Sequence, residues 1–308
     1  MEAFKHHSYQ VALVTLDLTE MDEHVIRYVA MISKILPIER IFFLHVAKTL
    51  EFPEELIQKY PTLMAPLDES IQAEIEQKVG QYFQGSEVKT ECIVRDGAPI
   101  DKILKLAKVK SVDLIVMGRK KSLKGSGLVS SHIARKCPCS LLLVPENFRP
   151  EIKKVLIPVD FSRHSALAVH QAEVLTKKSP KDMALVHIYN VPTGYYKIGK
   201  TYEEFDEIIR GHARNECAKF QKDHQFSGDL ECSFLSSKLD ENEKLVHARA
   251  IEFGADIIAI GSRGRTTASS ILIGSMAEKL VFHESDIPVL IVKNKGENMG
   301  FLEAILRV

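Results

Sequence analysis

Short runs of consecutive apolar residues alternate along this chain with longer segments in which apolar residues recur at helical spacing. In the second half the apolar runs predict five strands, at 155–159, 184–188, 230–235, 256–260 and 289–292. The segments between them predict helices, at about 162–175, 202–220, 245–253 and 275–282, with Ser162 as the N-cap of the first. Continuous apolar runs are typical of parallel strands buried on both faces, so the pattern predicts βαβ units.

The first half of the chain repeats the second at a nearly constant distance. Residues 14–17 match 157–160, and 113–118 match 256–261, each pair of segments lying 143 residues apart. A shift of this length indicates a duplicated domain rather than a solenoid of short repeats. We therefore expect two domains, 1–148 and 149–308, with the boundary in the proline-containing, mixed-charge stretch near 145–154.

Composition and charge exclude several classes of protein. The chain has 41 Lys and Arg against 41 Asp and Glu, so it has no global basic field to attract nucleic acid or an anionic membrane, and any anion site must be local. Five Cys, an odd number without framework spacing, indicate reduced thiols and favour a cytoplasmic location. No apolar run approaches the roughly 18 residues of a membrane span, and the first run lacks a signal-peptide cleavage site. We expect a soluble protein that is not exported.

The most informative chemistry follows the fourth predicted strand of the second half. Gly261-Ser262-Arg263-Gly264 is followed, after nine residues, by Gly274-Ser275 at the start of a helix. Glycines let the backbone approach a ligand closely, and the N–H groups at a helix N-terminus favour phosphate oxygens. If the strand order is 3-2-1-4-5, ligands bind where that order reverses, between strands one and four. Asp160 ends strand one, so it is predicted to face this loop. In the alternative interpretation, Gly261 only ends a strand and Gly274 only permits close helix packing.

These residues resemble the universal stress protein family, whose nucleotide-binding members carry Gly-x-x-Gly, nine residues, then Gly-Ser or Gly-Thr. The resemblance extends to 157–160, 186–188 and 288–292 and spans nearly the whole chain as a tandem pair. It implies that residues 158–160 and 188 surround adenine and ribose and that the glycines and Ser275 hold the phosphates of ATP, ADP or AMP, and it allows for an accompanying Mg²⁺. The nucleotide-binding residues expected from it are Pro158, Val159, Asp160, Ile188, Ile260, Gly261, Arg263, Gly264, Gly274, Ser275 and Met276.

The first half departs from this pattern. Gly118 begins the corresponding loop, which is four residues shorter, Lys121 stands in place of the second glycine, and Leu128 replaces the hydroxyl residue. Asp17 remains at the end of strand one. The first half is therefore expected to be a degenerate partner domain, and its Lys- and Arg-rich loop a solvated face rather than an anion site.

The remaining groups of candidate metal-binding and catalytic residues give weaker evidence of a functional site. Cys137 and Cys139, with His132 nearby, lack the ligand spacing of a structural zinc site. His45 and His187 occupy matching positions inside apolar strands and are expected to be hydrogen-bonded core residues. The sequence shows no nucleophile elbow and no paired carboxylates at a spacing that implies acid and base roles.

These patterns and the family resemblance together predict an α/β protein of two tandem doubly wound domains. Each has a five-stranded parallel sheet in the order 3-2-1-4-5 with helices on both faces. We expect an adenine-nucleotide-binding regulatory protein of the stress response that also has a protein partner of unknown identity. The two domains are expected to form an intramolecular pseudo-dimer through their fifth strands, with a further homodimer possible. The rival hypotheses are a slow ATPase or a phosphate- or adenylyl-transferring enzyme, and a nucleotide-free scaffold.

Overall fold

A computed structural model describes residues 8–49, 67–120, 127–194, 197, 199–237, 241–265, 272–296 and 300. The chain divides into two compact units, one of residues 1–150 with 294–308 and one of residues 151–293. The second unit therefore ends at 293, whereas the predicted second domain extended to 308. Lys295 instead belongs with the first unit, where its Nζ lies 2.5 Å from Oδ1 of Asp113.

The first unit alternates strands and helices, as the apolar pattern predicts. Its elements are β1 Val11–Leu16, α1 Met21–Ile32, β2 Arg40–Ala47, α2 Leu67–Phe83, β3 Lys89–Asp96, α3 Pro99–Val109, β4 Leu114–Arg119, α4 Gly127–Lys136 and β5 Ser140–Pro145. The strands pair in parallel in the order β3-β2-β1-β4-β5.

The second unit has the same architecture. Its elements are β6 Val155–Pro158, α5 Arg163–Leu175, a 3₁₀ turn Pro180–Asp182, β7 Met183–Tyr189, α6 Tyr202–His224, β8 Glu231–Ser236, α7 Asn242–Phe253, β9 Ile257–Gly261, α8 Ser275–Phe282 and β10 Val289–Val292. The order is β8-β7-β6-β9-β10, again parallel. Both sheets thus have the predicted 3-2-1-4-5 order, and the α/β fold class is confirmed.

Helix boundaries follow local chemistry. Ser162 is the N-cap of α5, as predicted, because its side chain accepts a hydrogen bond from the backbone N–H of Ser165. Thr201 and Glu204 form a reciprocal capping box at the start of α6. Helix α7 begins at Asn242, three residues before the predicted start, because its polar first turn carries no apolar periodicity to mark it.

An aspartate in each unit ties the start of strand one to the start of strand four. Oδ2 of Asp113 accepts the N–H groups of Gln10 and Val11, at 3.0 and 2.9 Å. Oδ2 of Asp256 does the same for Lys153 and Lys154, at 2.9 Å each. The internal repeat at these positions is therefore explained by sheet assembly alone.

Candidate functional site

A cavity of 220 Å³ lies in the second unit where the strand order reverses, at the carboxyl ends of β6 and β9. All eleven residues predicted to form a nucleotide site line this cavity: Pro158, Val159, Asp160, Ile188, Ile260, Gly261, Arg263, Gly264, Gly274, Ser275 and Met276. Four further lining residues were not predicted: Ser165, Val186, Asn242 and Ala277. The fold thus brings together residues that are more than 100 positions apart in the sequence.

Asp160, which follows β6, is held in one orientation by neighbouring donors. Its Oδ1 accepts hydrogen bonds from Ser165 Oγ at 2.7 Å and from the Ser162 N–H at 3.1 Å, and its Oδ2 accepts the Arg265 N–H at 2.6 Å. Burial alone would raise the pKa of Asp160, but these hydrogen bonds outweigh burial and hold that pKa below its usual value. The cavity therefore contains a fixed, ionised carboxylate.

The two ends of the glycine loop perform different tasks. A Cβ on Gly261 would lie 2.5 Å from the carbonyl oxygen of His164, so this glycine permits β9 to pack closely against α5. A Cβ on Gly274 would lie 3.4 Å from Ser262 O and Arg263 Cα, which is ordinary contact. Packing therefore requires glycine at 261 but not at 274, whereas the alternative interpretation from the sequence assigned close helix packing to Gly274.

Gly274 brings the start of α8 against the loop. Its N–H donates to Ser262 O at 2.7 Å, and Ser262 N–H in turn donates to Val292 O at 2.9 Å. As the N-cap of α8, Gly274 makes no side-chain capping hydrogen bond. The N–H groups of the first helical turn have no acceptor within their own helix, so this end of the cavity favours an anion.

The two loop arginines differ in their surroundings. Arg263 lines the cavity. The guanidinium of Arg265 lies 2.6 Å from Glu216 Oε2, and it covers the ring of Phe161 at 5.3 Å from the ring centroid. Arg263 therefore contributes a cationic side chain to the cavity lining, while Arg265 braces the loop against α6.

His187 does not line the cavity but contacts the segment that follows β6, which does. Its Nδ1 donates to the carbonyl oxygen of Val159 at 2.8 Å, and its ring stacks on Phe161 with a centroid separation of 4.4 Å. Burial lowers the pKa of His187, so the imidazole is neutral near pH 7. His45 makes the matching bond to Leu16 O at 3.0 Å and is buried, whereas His187 is hydrogen-bonded but only partly buried.

The first unit has a crevice at the equivalent place, with different chemistry. A cavity of 500 Å³ includes Asp17, Asp22, Gly118 and Lys120 in its lining. The Nζ of Lys120, at the repeat position of Arg263, lies 2.6 Å from Asp17 Oδ2. Burial would raise the pKa of Asp17, but Lys120 and Thr19 outweigh burial and hold it below its usual value. The positive charge of Lys120 is therefore already neutralised by the carboxylate of Asp17. Lys121 lies outside the described residues.

Asp22 occupies the repeat position of Ser165. It is 2% exposed, and its two oxygens accept the N–H groups of Asp17 and Leu18 at 2.9 Å each. Burial, together with the charge of Asp17, raises the pKa of Asp22 to about 6 against these hydrogen bonds. A second carboxylate thus stands where the second unit has a hydroxyl, which disfavours an anionic ligand.

No group of three or more metal-binding side chains occurs among the described residues. Cys137 and Cys139 are both buried at the entry to β5, and Cys137 Sγ lies 3.2 Å from Cys139 O. Within the described ranges no helix has both the length and the apolar character needed to cross a membrane.

Comparison with known proteins finds relatives of both halves of the chain. The model of the universal stress protein family matches residues 8–145 and again 151–293. Universal stress protein E of Photorhabdus laumondii is 22% identical over 300 residues, which cover 90% of this chain and 92% of that protein. A universal stress protein of Methanocaldococcus jannaschii is 27% identical over 159 residues, or 47% of this chain and 96% of that protein.

A solved structure extends the likeness to the fold. The crystal structure of a universal stress protein from Archaeoglobus fulgidus has a TM-score of 0.61 at 21% identity and covers 94% of this chain and 99% of its own. The family model matches twice, at the two units, so the tandem organisation is found by sequence and by structure independently.

Proposed function

We propose that this chain, which belongs to the universal stress protein family, binds one adenine nucleotide in the crevice of its second unit and acts as a nucleotide-controlled regulatory protein. One observation carries the proposal. The eleven residues expected to hold the nucleotide line a single cavity at the switch point of the sheet. ATP, ADP and AMP share the groups that this cavity would recognise.

The cavity has an apolar end and a polar end. Val159, Val186 and Ile188 supply an apolar surface suited to a flat base, and Asp160 offers carboxylate oxygens to ribose hydroxyls. At the other end Gly264, Gly274 and the first turn of α8 offer backbone N–H groups to phosphate oxygens.

Mg²⁺ would enter with the nucleotide rather than be held by the chain. Asp160 is the one carboxylate among the lining residues that the structure describes, and both of its oxygens already accept hydrogen bonds. Phosphate oxygens and water would therefore supply most of the ligands of the ion.

The same geometry argues for binding without rapid turnover. A general base needs a pKa near the working pH, whereas the pKa of Asp160 is held below its usual value. Any ATP hydrolysis is expected to be slow and incidental. Regulation would follow if the nucleotide binds one conformation better than another and so changes which protein partner the chain holds.

The test is calorimetric titration of the full chain with ATP, ADP and AMP. We expect one site per chain and loss of binding in Gly274→Val. The backbone at Gly274, with φ −74° and ψ 151°, admits any residue, and its Cβ makes ordinary contact, so the fold should survive while methyl groups fill the phosphate end. Gly211→Ala is the matched control, because a Cβ there meets nothing within 4 Å.

Three outcomes are distinguishable. One site, lost only in Gly274→Val, supports the proposal. Two equivalent sites would show that the first crevice also binds nucleotide despite its carboxylates. No binding of any of the three nucleotides would refute the proposed function and favour the scaffold hypothesis.

A further inference from the structure

Asn242 brings to the cavity a polar atom that has no hydrogen-bond partner among the described residues. It is the first residue of α7 and lines the cavity, yet sequence reasoning did not select it. Its Oδ1 is fully buried and has no hydrogen-bond partner in the part of the chain that the structure describes. A buried amide oxygen is costly without a donor, so the atom calls for a ligand that carries an N–H or O–H group.

Asn242 reaches the cavity from a helix that packs on the strand carrying Val186 and Ile188. Helix α7 follows β8 and packs on β7 and β6, whereas the glycine loop follows β9 on the other side of β6. Asn242 therefore lines the cavity together with Val186 and Ile188 of β7, and α7 also packs on α8.

The first unit lacks this polar group. Its helix α3 begins at Pro99, which is the repeat position of Asn242 and also lines the local crevice. Proline is a common first residue of a helix because its missing N–H would have no partner there, so Pro99 needs no functional explanation. Asparagine at the equivalent position offers both an acceptor and a donor to the cavity.

We propose that Asn242 determines base specificity by accepting a hydrogen bond from the exocyclic amino group of the bound base. This inference rests on the proposed function. Adenine presents an amino donor beside a ring-nitrogen acceptor, the pattern that an asparagine amide matches with two hydrogen bonds. The amino group would satisfy Oδ1, and the apolar wall formed by Val186 and Ile188 would contact the ring.

The experiment compares ATP with purine riboside 5′-triphosphate, which differs only in lacking the 6-amino group. Calorimetric titrations are run on the wild-type chain, Asn242→Leu, Asn242→Asp and a control, Glu241→Gln, at an exposed neighbouring position. Loss of one uncharged hydrogen bond corresponds to roughly a tenfold change in affinity. We expect the wild type and Glu241→Gln to prefer ATP about tenfold, and Asn242→Leu to prefer it less than about twofold.

Asn242→Asp separates recognition from a structural role. It keeps an acceptor oxygen at the same place, so the preference for ATP should remain even if its charge weakens both ligands equally. The ratio of affinities also cancels any general loss of fold, which far-UV circular dichroism monitors separately.

Two results would overturn the inference, and they differ from each other. If the wild type binds ATP and Asn242→Leu keeps the tenfold preference, another group reads the amino group and the assignment to Asn242 is wrong, while the proposed function stands. If the wild type binds neither triphosphate, the proposed function fails and the inference fails with it.

Discussion

Replacing Gly261 by alanine tests whether the first glycine of the loop serves packing before it serves a ligand. Gly261 ends β9 directly beneath the first turn of α5. The new Cβ would lie 2.5 Å from the carbonyl oxygen of His164, 2.6 Å from its carbonyl carbon and 2.9 Å from its Cβ. Two of these atoms belong to the backbone of the helix, so relief requires that the helix itself move.

The repeat supplies a matched comparison for the magnitude. A Cβ on Gly118 would also meet its neighbour at 2.5 Å, but that neighbour is Cγ of the buried Met21 side chain, so relief requires that this side chain repack and not that a helix backbone move. Overpacking against a fixed backbone costs about 1–3 kcal/mol. For Gly118→Ala, a gain of about 0.4–1 kcal/mol from the less flexible unfolded chain should offset much of the smaller steric cost.

Thermal unfolding followed by far-UV circular dichroism would measure both effects. At roughly 2–4 °C per kcal/mol for a domain of this size, Gly261→Ala should lower the melting temperature of the second unit by on the order of 2–12 °C. Gly118→Ala should change that of the first unit far less, and Gly274→Ala, whose Cβ fits, should leave the second unit near the wild-type value. The reasoning is refuted if Gly261→Ala melts no earlier than the wild type, or if Gly118→Ala is the more damaging of the two.

Two further predictions concern pH and the sheet edges. Because the pKa of Asp22 is raised to about 6 in the folded protein, folding favours its protonated form, and this contribution to stability is lost as pH rises from about 4 through 6. Asp22→Asn should therefore remove part of the pH dependence in that window, and an unchanged profile in urea titrations would contradict the assigned pKa. The fifth strands are predicted to pair with each other, so their amides should exchange slowly with deuterium in a dilute monomer. Leu142→Lys and Leu290→Lys should accelerate that exchange, and fast exchange in the wild type would exclude the pairing.

The sequence predicted the fold because most strands are short apolar runs and the chain contains its architecture twice. It also predicted that Asp160 and Gly261 lie in one crevice, through the rule for doubly wound sheets. What it could not predict depends on three-dimensional neighbours. Nothing in the sequence distinguishes Gly261, which contacts a helix backbone, from Gly274, which does not. Asn242 was missed because its polar first turn shows no periodicity, although alignment with Pro99 through the internal repeat would have found it.

Comparison of the two crevices separates what the fold requires from what a ligand would require. Features common to both units have structural explanations: the clamping aspartates at 113 and 256, the histidines bonded to strand-one carbonyls, and the glycine packed under the first helix. The positions that differ are those facing the cavity, where Ser165, Arg263 and Asn242 of the second unit correspond to Asp22, Lys120 and Pro99 of the first. Each change in the first unit adds negative charge, joins an ion pair or removes a hydrogen-bonding side chain. Because these changes leave the sheet order intact, the contrast indicates that the fold alone does not require the polar lining of the second crevice. That lining is the part of this chain whose chemistry calls for a ligand.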